Sequence, residues 1–335
     1  MTRLRFSALK IDRFLLILVG TVALATLVPA RGQAASAFDV VSNLAIALLF
    51  FLHGAKLSRQ AVLEGIGAWR IHVAVVGATF VMFPLIGLAA RSISDLWLNP
   101  HIGAGLLLLC LMPSTVQSSI AFTSIARGNV PAAVCSASLS NLIGIALTPL
   151  LVGTFLSSNG GGFSWEGATK IALQLLLPFV SGHLARPLLA RSLARYKTLV
   201  SQVDRSVILL VVYTAFSAAV VEGLWSRYTP GDLGWTVAID AVILAIALAV
   251  TTGGARLLGF DTADEVVIVF CGSKKSLASG VPMATALFPT ALVGPMLLPL
   301  MLFHQLQLMA CATLAERYAA GSRTASDPGL GKAGS

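Results

Sequence analysis

Two adjacent lysines lie near the middle of a long apolar segment in the last third of the chain. Lys274 and Lys275 belong to the stretch DEVVIVFCGSKKSLASGVPMATALFP, residues 264–289. A lysine at the centre of a lipid-facing helix costs about 2.5–3.5 kcal/mol, so both ammonium groups must face protein, water or a bound anion. The neighbouring glycines, serines and Pro282 are typical of the point at which a membrane-spanning helix is interrupted. We therefore predict that the functional centre of the molecule lies at this position.

The composition indicates the class of protein that contains this centre. Hydrophobic residues make up 56% of the 335 positions and charged residues 11%, and the mean hydropathy is +0.86. Because soluble domains contain about 25% charged residues, we predict an all-α polytopic membrane protein in contact with lipid. The net charge of +9 does not indicate a nucleic-acid partner, since the basic residues lie between apolar segments, where they set membrane topology.

The cysteines do not indicate a redox or metal site. All of them fall inside apolar segments and none shows CxxC spacing, so neither disulfides nor metal ligands are predicted. They are Cys110, Cys135, Cys271 and Cys311. No cofactor is predicted apart from a sodium ion, which is kept as an alternative.

Ten apolar segments are long enough to cross a hydrocarbon core of about 30 Å. They span residues 12–30, 38–55, 69–90, 101–126, 130–156, 166–189, 205–222, 235–257, 263–288 and 291–316. Most of the 23 lysines and arginines fall on the side that holds both termini, and only Arg31, Arg91 and Arg227 fall between segments on the other side. Because basic loops stay in the cytoplasm, we predict cytoplasmic termini in a bacterial inner membrane.

The first segment has an alternative interpretation. Its basic start, its apolar stretch and the small residues at 32–36 also resemble a signal peptide. Removal of this segment would leave nine helices and would destroy the symmetry of the remainder.

The ten segments divide into two sets of five, and the fourth and ninth carry polar interruptions, at 112–129 and 271–282. Interrupted helices at matching positions of two halves are typical of inverted-repeat transporters with a binding site near the midplane. An odd number of helices in each half places the symmetry axis in the membrane plane. The predicted division is a cytoplasmic N-terminus (1–11), a first repeat (12–156), a second repeat (166–317) and a disordered cytoplasmic tail (318–335).

Three stretches resemble the bile acid:sodium symporter superfamily, and within it the SBF-like branch of sodium-dependent transporters. They are LLFFLHGAKLS (48–58), PSTVQSSIAFTSIARGNVPAAVCSASLSNLIGIALTPLLVG (113–153) and CGSKKSLASGVPMATALFP (271–289). The resemblance implies a panel of helices 1, 2, 6 and 7 against a core of helices 3–5 and 8–10, with discontinuous helices 4 and 9 crossing. It also implies an organic anion as substrate, usually moved with sodium. Helix N-termini at such a crossing suit a carboxylate or a sulfate.

The chain departs from the family pattern at the sodium site. The bile acid group has a Ser-Asn pair at the fourth-helix break, where this chain has Ser119-Ile120 or, with one inserted residue, Ser118-Ser119. That group's sodium-binding glutamate and nearby glutamine are matched here by Ser273 and Leu277. An ammonium beside a sodium site opposes sodium binding at low dielectric. We therefore expect a lysine to replace the cation or to pair with the anion, and transport linked to protons is one form of this arrangement.

The predicted binding residues surround the two interruptions and the middle of the tenth segment. His304-Gln305 matches a His-Asn pair that lies near the substrate in the family, and Asn141 is the polar residue most costly to bury. For the hydroxyl groups, close helix packing is the alternative interpretation. The full set is Ser114, Thr115, Gln117, Ser118, Ser119, Ser138, Asn141, Ser273, Lys274, Lys275, Ser276, Ser279, His304 and Gln305. A retained sodium ion would use Ser118, Ser119, Asn141 and Ser273.

Together these patterns predict a secondary transporter of a small or amphipathic organic anion that works by alternating access, with sodium coupling weakened or replaced by the lysines. The alternatives are a sodium-coupled organic anion symporter and a non-transporting membrane regulator of cation entry. An enzyme is not expected, because the chain has no HExxH and no GxSxG pattern. Assembly into a homo-oligomer is left open.

Overall fold

The computed structural model describes residues 13–56, 66–156, 165–227 and 229–326. Within these ranges every regular element is a helix and no strand occurs, as the composition predicted. Residues 1–12 and 327–335, which include the predicted N-terminal extension and half of the predicted tail, lie outside the described residues. The helices are α1 (Arg13–Leu27), α2 (Gln33–Lys56), α3 (Trp69–Ser94), α4 (Pro100–Leu111), α5 (Gln117–Ile125), α6 (Val130–Phe155), α7 (Trp165–Arg195), α8 (Lys197–Val221), α9 (Leu224–Arg227), α10 (Pro230–Leu257), α11 (Thr262–Gly272), α12 (Leu277–Leu287) and α13 (Thr290–Ser326).

Six of these helices are long and apolar enough to cross a membrane. They are α2, α3, α6, α8, α10 and the Thr290–Gly321 part of α13. Helix α3 contains a π-helical segment, Ala78–Met82, in which the backbone departs from the regular α-helical hydrogen-bond pattern. The first and sixth predicted segments correspond to α1 and α7, so helices cover every region that the hydropathy pattern selected.

The fourth and ninth predicted segments are each divided into two helices, as the sequence predicted. Residues 112–116, here called the first break, separate α4 from α5. Residues 273–276, the second break, separate α11 from α12. Both interruptions are therefore short, and each leaves two half-helices in place of one spanning helix.

Local sequence explains where the half-helices end and begin. Helix α4 stops at Leu111 because Pro113 lacks an N–H and pushes the preceding Met112 into an extended conformation, with φ −74° and ψ 153°. Helix α12 starts after Ser276, whose side chain accepts a hydrogen bond from the backbone N–H of Ser279.

Helices α1, α2, α7 and α8 pack against one another, and α2 and α7 do so very closely. A Cβ atom on Gly54 of α2 would lie 1.9 Å from the carbonyl oxygen of Phe179, and one on Gly182 of α7 would lie 1.9 Å from that of Phe51. Small residues at helix contacts in membranes allow such close approach of two backbones. On the other side of α8, helix α13 packs against α8, α4 and α10.

The C-terminal helix is longer than the hydropathy pattern indicated. The predicted segment ends at residue 316, whereas α13 continues to Ser326 and includes the beginning of the predicted disordered tail. The added residues include Ala319, Ala320 and Arg323, which are good helix formers although they are not long apolar side chains. A hydropathy pattern locates the apolar part of a helix and does not detect an extension of this kind.

Candidate functional site

The two breaks are in direct contact through hydrogen bonds. The backbone N–H of Ser276 donates to the carbonyl oxygen of Pro113 at 2.9 Å. The hydroxyl of Ser114 donates to the carbonyl oxygen of Cys271 at 2.5 Å, and that of Ser119 donates to the carbonyl oxygen of Phe270 at 2.7 Å. Because a helix ends with carbonyl groups that have no intrahelical partner, hydroxyls beside the first break satisfy the end of α11.

Helix α6 connects both breaks through Asn141. Its side-chain Nδ2 donates to the carbonyl oxygen of Ser114 at 2.7 Å, and its Oδ1 accepts from the hydroxyl of Ser279 at 2.7 Å. At the preceding residue, Ser140 Oγ accepts from the backbone N–H of Ser114 at 3.2 Å. Helix α6 therefore satisfies polar groups of both breaks, and a shift of either break must disturb Asn141.

Lys275 is fully buried and its ammonium group is completely hydrogen-bonded. Its Nζ donates to the carbonyl oxygens of Thr79 at 2.9 Å, Cys110 at 2.8 Å and Met112 at 2.7 Å. The side chain is 0% exposed, and the ring centroid of Phe83 lies 4.1 Å from Nζ. Two of the three carbonyls belong to the end of α4, where the helix dipole favours a positive charge. Lys275 thus binds the end of α4 to the π-helical segment of α3.

Lys274 is equally buried but has no hydrogen bond to its ammonium group among the described residues. Its Nζ lies 3.9 Å from the ring centroid of Phe122 on α5 and 5.5 Å from that of Phe270 on α11. The rings of Phe270 and Tyr318 meet edge to face, with their centroids 6.2 Å apart. An ammonium over an aromatic face is attracted by the ring quadrupole, so two phenyl rings are the partners of this charge.

Gln307 on α13 contacts both the second break and the histidine of the predicted site. Its Oε1 accepts from the backbone N–H of Lys275 at 2.8 Å, and its Nε2 donates to the carbonyl oxygen of Lys275 at 2.9 Å. The same Nε2 lies 2.8 Å from Nδ1 of His304. The side chain of Gln307 is 0% exposed. It therefore connects the unwound backbone of the second break to His304.

A cavity of about 380 Å³ opens beside the contact between the breaks. Its wall combines polar side chains near the breaks, an apolar middle and charged side chains at the ends of α2 and α8. The polar group is Thr115, Gln117, Ser118, Ser138, Asn141, Ser276, Ser279 and His304. The apolar group includes Phe14, Phe50, Ile145, Phe179, Ile208, Leu277 and Met283. The charged and titratable group is His53, Lys56, Asp204 and Arg205, in which Lys56 donates to Asp204.

A chain of hydroxyl groups leads from this cavity into the contact between the breaks. Ser119 donates its single proton to the carbonyl of Phe270, so it accepts from Thr115, which lies 2.8 Å away. Thr115 in turn accepts from Ser118 at 2.9 Å. Ser118 and Thr115 line the cavity, whereas Ser119 is 0% exposed. The cavity wall is thereby linked to the backbone of Phe270, the residue whose ring centroid lies 5.5 Å from the ammonium of Lys274.

The predicted site residues separate into two groups in the structure. Eight of the fourteen line the cavity, namely Thr115, Gln117, Ser118, Ser138, Asn141, Ser276, Ser279 and His304. Five are buried behind the cavity wall, namely Ser114, Ser119, Ser273, Lys274 and Lys275. Gln305 is half-buried on α13 and is not among the residues that line the cavity. The two lysines therefore support the wall from behind in this conformation.

Sequence reasoning missed Gln307, Lys56, Asp204 and Arg205. Gln307 lies three residues after His304, the spacing at which two helical side chains meet, so a search for polar partners of His304 could have found it. Lys56 of α2 and Asp204 and Arg205 of α8 have no such spacing from a predicted site residue. Lys56 lies about 150 residues before Asp204 and Arg205 in the sequence, and the packing of α2 on α8 brings them together.

The donor set of the breaks does not fit a sodium ion of the kind found in the bile acid group. The residues of the two breaks include no carboxylate, and the carbonyls of Cys110 and Met112 are already bonded to the Lys275 ammonium. Ser273 Oγ donates to the carbonyl oxygen of Val269 at 2.6 Å within its own helix. Hard oxygen ligands with net negative charge are what a small cation requires, whereas the second break contributes two lysines and no negative charge.

Comparison with known proteins gives a family match and several close relatives. The sequence model of the SBF-like CPA transporter family matches residues 12–320. The chain is 57% identical to the protein PA2026 of Pseudomonas aeruginosa, over 92% of this chain and 93% of the relative. It is 53% identical to the "Putative symporter YfeH" of Escherichia coli, again over 92% and 93% of the two chains. Similarity extends to the sodium/bile acid cotransporter 7 of Rattus norvegicus, at 27% identity over 82% of each chain.

Proposed function

The chain belongs to the SBF-like CPA transporter family, and from this membership we propose that it is a secondary transporter of a small or amphipathic organic anion. As a member of this family it is an integral membrane protein and not an enzyme. The proposed location is a bacterial inner membrane, with ten membrane-spanning segments arranged as two inverted five-helix repeats and both termini in the cytoplasm. The basic residues between the segments support this orientation.

The observation that carries the proposal is the N-terminus of α5 in the cavity wall. No side chain caps this helix, and Val116, Gln117 and Ser118 of its first turn all line the cavity. The first N–H groups of a helix have no intrahelical partner and carry a positive partial charge. An anionic group of the substrate can therefore be held by backbone N–H groups and nearby hydroxyls without a metal ion.

The rest of the cavity supports an amphipathic substrate. Phe50, Ile145 and Phe179 suit a hydrocarbon body. Lys56 is paired with Asp204, so Arg205 leaves one net positive charge among these three lining residues. The volume of about 380 Å³ lies within the size range of sites for small organic molecules. A negatively charged molecule with an apolar body matches all three parts of this wall.

For the coupling ion we propose that lysine ammonium groups take the place of bound cations. Lys275 donates to three carbonyl oxygens, which is the kind of environment that a sodium ion would otherwise occupy. A built-in cation holds the breaks together whether or not sodium is present. A sodium-coupled symporter is the second candidate, and the name of the cotransporter 7 relatives favours it.

The position of the cavity supports a mechanism of alternating access. Its wall includes Phe14, Phe50, Phe179 and Ile208 from the group α1, α2, α7 and α8. The opposite wall comes from α5, α6, α12 and α13, which the hydrogen bonds at the breaks join together. A cavity between two internally well-packed groups can open to either side when one group moves against the other. In this mechanism Asn141 and Gln307 move with the breaks.

The test is an uptake experiment with purified protein in proteoliposomes. A panel of labelled carboxylates, sulfates and bile acids is offered under a sodium gradient, a proton gradient and no gradient. We expect saturable uptake of at least one anion, and this uptake should not require sodium.

Ser118→Val in the cavity wall should reduce uptake at least tenfold, whereas the matched Ser181→Val on the exposed side of α7 should not. Absence of uptake for every anion and gradient would overturn the proposal, and uptake that depends strictly on sodium would favour the second candidate.

A further inference from the structure

Asp240 on α10 is a buried acidic side chain that belongs neither to the cavity wall nor to the breaks. It is 0% exposed, and neither of its carboxyl oxygens has a hydrogen-bond partner among the described residues. The backbone of Phe303 on α13 approaches the group without a hydrogen bond of normal geometry. An isolated ionised carboxylate in an apolar interior costs so much free energy that the group takes up a proton instead. Burial without a partner therefore favours the neutral carboxylic acid over the carboxylate.

No ion pair holds Asp240 in its ionised form within the described ranges. Helix α10 packs against α13, α11 and α3. The titratable side chain close enough to sense the charge of Asp240 is Cys110 of α4, which is itself buried. Other charged or titratable side chains in this region have partners elsewhere: Lys275 donates to three carbonyl oxygens, Arg91 to Asp95 and to the carbonyl of Phe155, and Arg256 to Glu265, while His72 contacts Ser136 and His304 contacts Gln307.

A stripe of polar side chains leads from the start of α10 to Asp240. Asp232, Thr236 and Asp240 are spaced by four residues, so they share one face of the helix, and Asp240 lies about 12 Å along the axis from Asp232. Asp232 belongs to the cap of the helix, and the buried hydroxyl of Thr236 donates to its carbonyl oxygen at 2.7 Å. Further along, the same face continues with the buried apolar residues Ile243 and Ala247. The polar stripe therefore begins at the helix N-terminus and stops at Asp240.

The stripe starts on the side of the membrane opposite to the charged end of the cavity. Arg205 near the start of α8 lines that end, and α8 is long enough to cross the membrane before α10 begins at Pro230. Beside the start of α10 the rings of Trp97 and Trp235 meet, with their centroids 6.1 Å apart. Tryptophan is typical of the boundary between membrane and water. Water that enters along the stripe therefore comes from the side that the charged end of the cavity does not face.

We propose that Asp240 is a proton-binding site and that its proton is the coupling ion of transport. This inference rests on the proposed transport function, in which the fixed ammonium groups of Lys274 and Lys275 cannot be exchanged. In the present conformation the carboxyl group holds the proton. When water enters the stripe, the O–H bond breaks, the proton passes to that water and the electron pair stays on Asp240; the reverse step restores the acid. A divalent metal ion does not suit the site, because it takes about six oxygen ligands and the described residues contain no group of three acidic, histidine or cysteine side chains that could hold a metal.

The protonation state can be measured without any substrate. Infrared spectra of the purified protein in detergent are recorded at neutral pH, where the C=O band of a protonated carboxylic acid lies apart from the bands of ionised carboxylates. We expect this band in the wild type and its loss in Asp240→Asn, whose amide is neutral and similar in shape. The matched control is Asp39→Asn, a partly exposed acid on α2, which should keep the band. A wild-type spectrum without the band, or a band that persists in Asp240→Asn, overturns the proposal. If Asp240→Asn does not fold, wild-type protein labelled with ¹³C at the aspartate side-chain carboxyl replaces it, and a band that the label does not shift overturns the proposal.

Uptake measurements separate a coupling role from a structural one. In proteoliposomes, with the labelled carboxylate, sulfate or bile acid that the wild type takes up, a gradient of one pH unit should change accumulation by up to about tenfold. Asp240→Asn should not respond to the gradient but should still exchange internal for external anion, because exchange moves no net proton. A wild type without a response, a response retained in Asp240→Asn, or loss of exchange in that variant overturns the coupling role. If the wild type takes up none of these anions, the transport function fails, whereas the infrared spectra still decide whether Asp240 holds a proton.

Discussion

Lys274 and Lys275 are adjacent in the chain and both are 0% exposed, yet their ammonium groups have opposite surroundings. Lys275 donates to three carbonyl oxygens and makes every hydrogen bond that an ammonium group can make. Lys274 has no hydrogen bond to its ammonium group among the described residues and rests on two phenyl rings. The degree of burial alone therefore does not show how much a charged side chain contributes to the stability of the fold.

The unwound backbone of the second break explains how two neighbours come to differ. Lys275 points to the end of α4, where carbonyl groups without a helical partner attract a cation. Lys274 points between α5 and α11, where aromatic rings replace polar atoms. Hydrogen bonds to a charged group contribute about 1.5–3 kcal/mol each, whereas a desolvated cation–π contact contributes about 2 kcal/mol. Only Lys275 has enough partners to offset the loss of its hydration.

The largest expected effect is therefore that of Lys275→Met on stability. The variant removes the ammonium and leaves the carbonyls of Thr79, Cys110 and Met112 buried without a partner. We expect the free energy of unfolding to fall by about 3–5 kcal/mol. The measurement is unfolding by titration with sodium dodecyl sulfate from a mild detergent, followed by circular dichroism. A Lys275→Met protein as stable as the wild type would show that the three hydrogen bonds do not hold the breaks.

A second, smaller loss is expected when Lys275 keeps its ammonium but its backbone loses a partner. Gln307→Leu leaves the N–H and the carbonyl of Lys275 buried and unpaired, which should lower the free energy of unfolding by about 2–3 kcal/mol. The matched control is Gln305→Leu, a half-buried position that should change stability little. The same detergent titration checks both. Equal losses in the two variants would mean that helix packing, and not the bonds to Lys275, sets the cost.

The positions of the breaks could be predicted from the sequence because their causes are local. Pro113 lacks the N–H that would continue α4 and forces Met112 into an extended conformation, and Ser276 caps the helix that follows. Charge inside an apolar segment likewise identifies Lys274 and Lys275 without any structure. The hydropathy pattern therefore determined the all-helical class and both interruptions, although it placed the end of α13 too early.

The directions of the side chains could not be predicted, because they depend on tertiary packing. A helical wheel does not apply where the backbone is unwound, so nothing in the sequence separates Lys274 from Lys275. Pro84, just after the π-helical segment, leaves carbonyl groups of that segment without a helical N–H, but it does not indicate that Lys275 binds the carbonyl of Thr79. The family match drew attention to Gln305 beside His304, whereas the side chain that contacts His304 is Gln307, because residues three apart share a helix face.

Whereas Lys275→Met should lower the free energy of unfolding, we expect Lys274→Met to raise it. Lys274→Met removes an ammonium without hydrogen bonds and keeps a side chain of similar length, whose sulfur also packs well on Phe122 and Phe270. We expect the free energy of unfolding to rise by about 1–2 kcal/mol, since the regained desolvation cost exceeds the lost cation–π attraction. Because a charge kept at a cost to stability is expected to serve function, uptake in proteoliposomes should fall at least tenfold. A variant that is less stable and fully active would contradict both expectations.

The smallest change in stability is expected for a lysine that is not buried. This change is the reference against which the effects of Lys274→Met and Lys275→Met are compared. Lys56 forms an ion pair with Asp204 at the edge of the cavity, with the two side chains 34% and 14% exposed. Because exposed ion pairs are weakened by water and salt, Lys56→Met should change the free energy of unfolding by less than about 1 kcal/mol. If this lysine helps to attract an anion, raising the salt concentration should weaken uptake by the wild type more than uptake by Lys56→Met. A loss of stability as large as that of Lys275→Met would mean that the ion pair closes the cavity as a structural contact, and exposure would then be a poor guide to the contribution of a lysine in this protein.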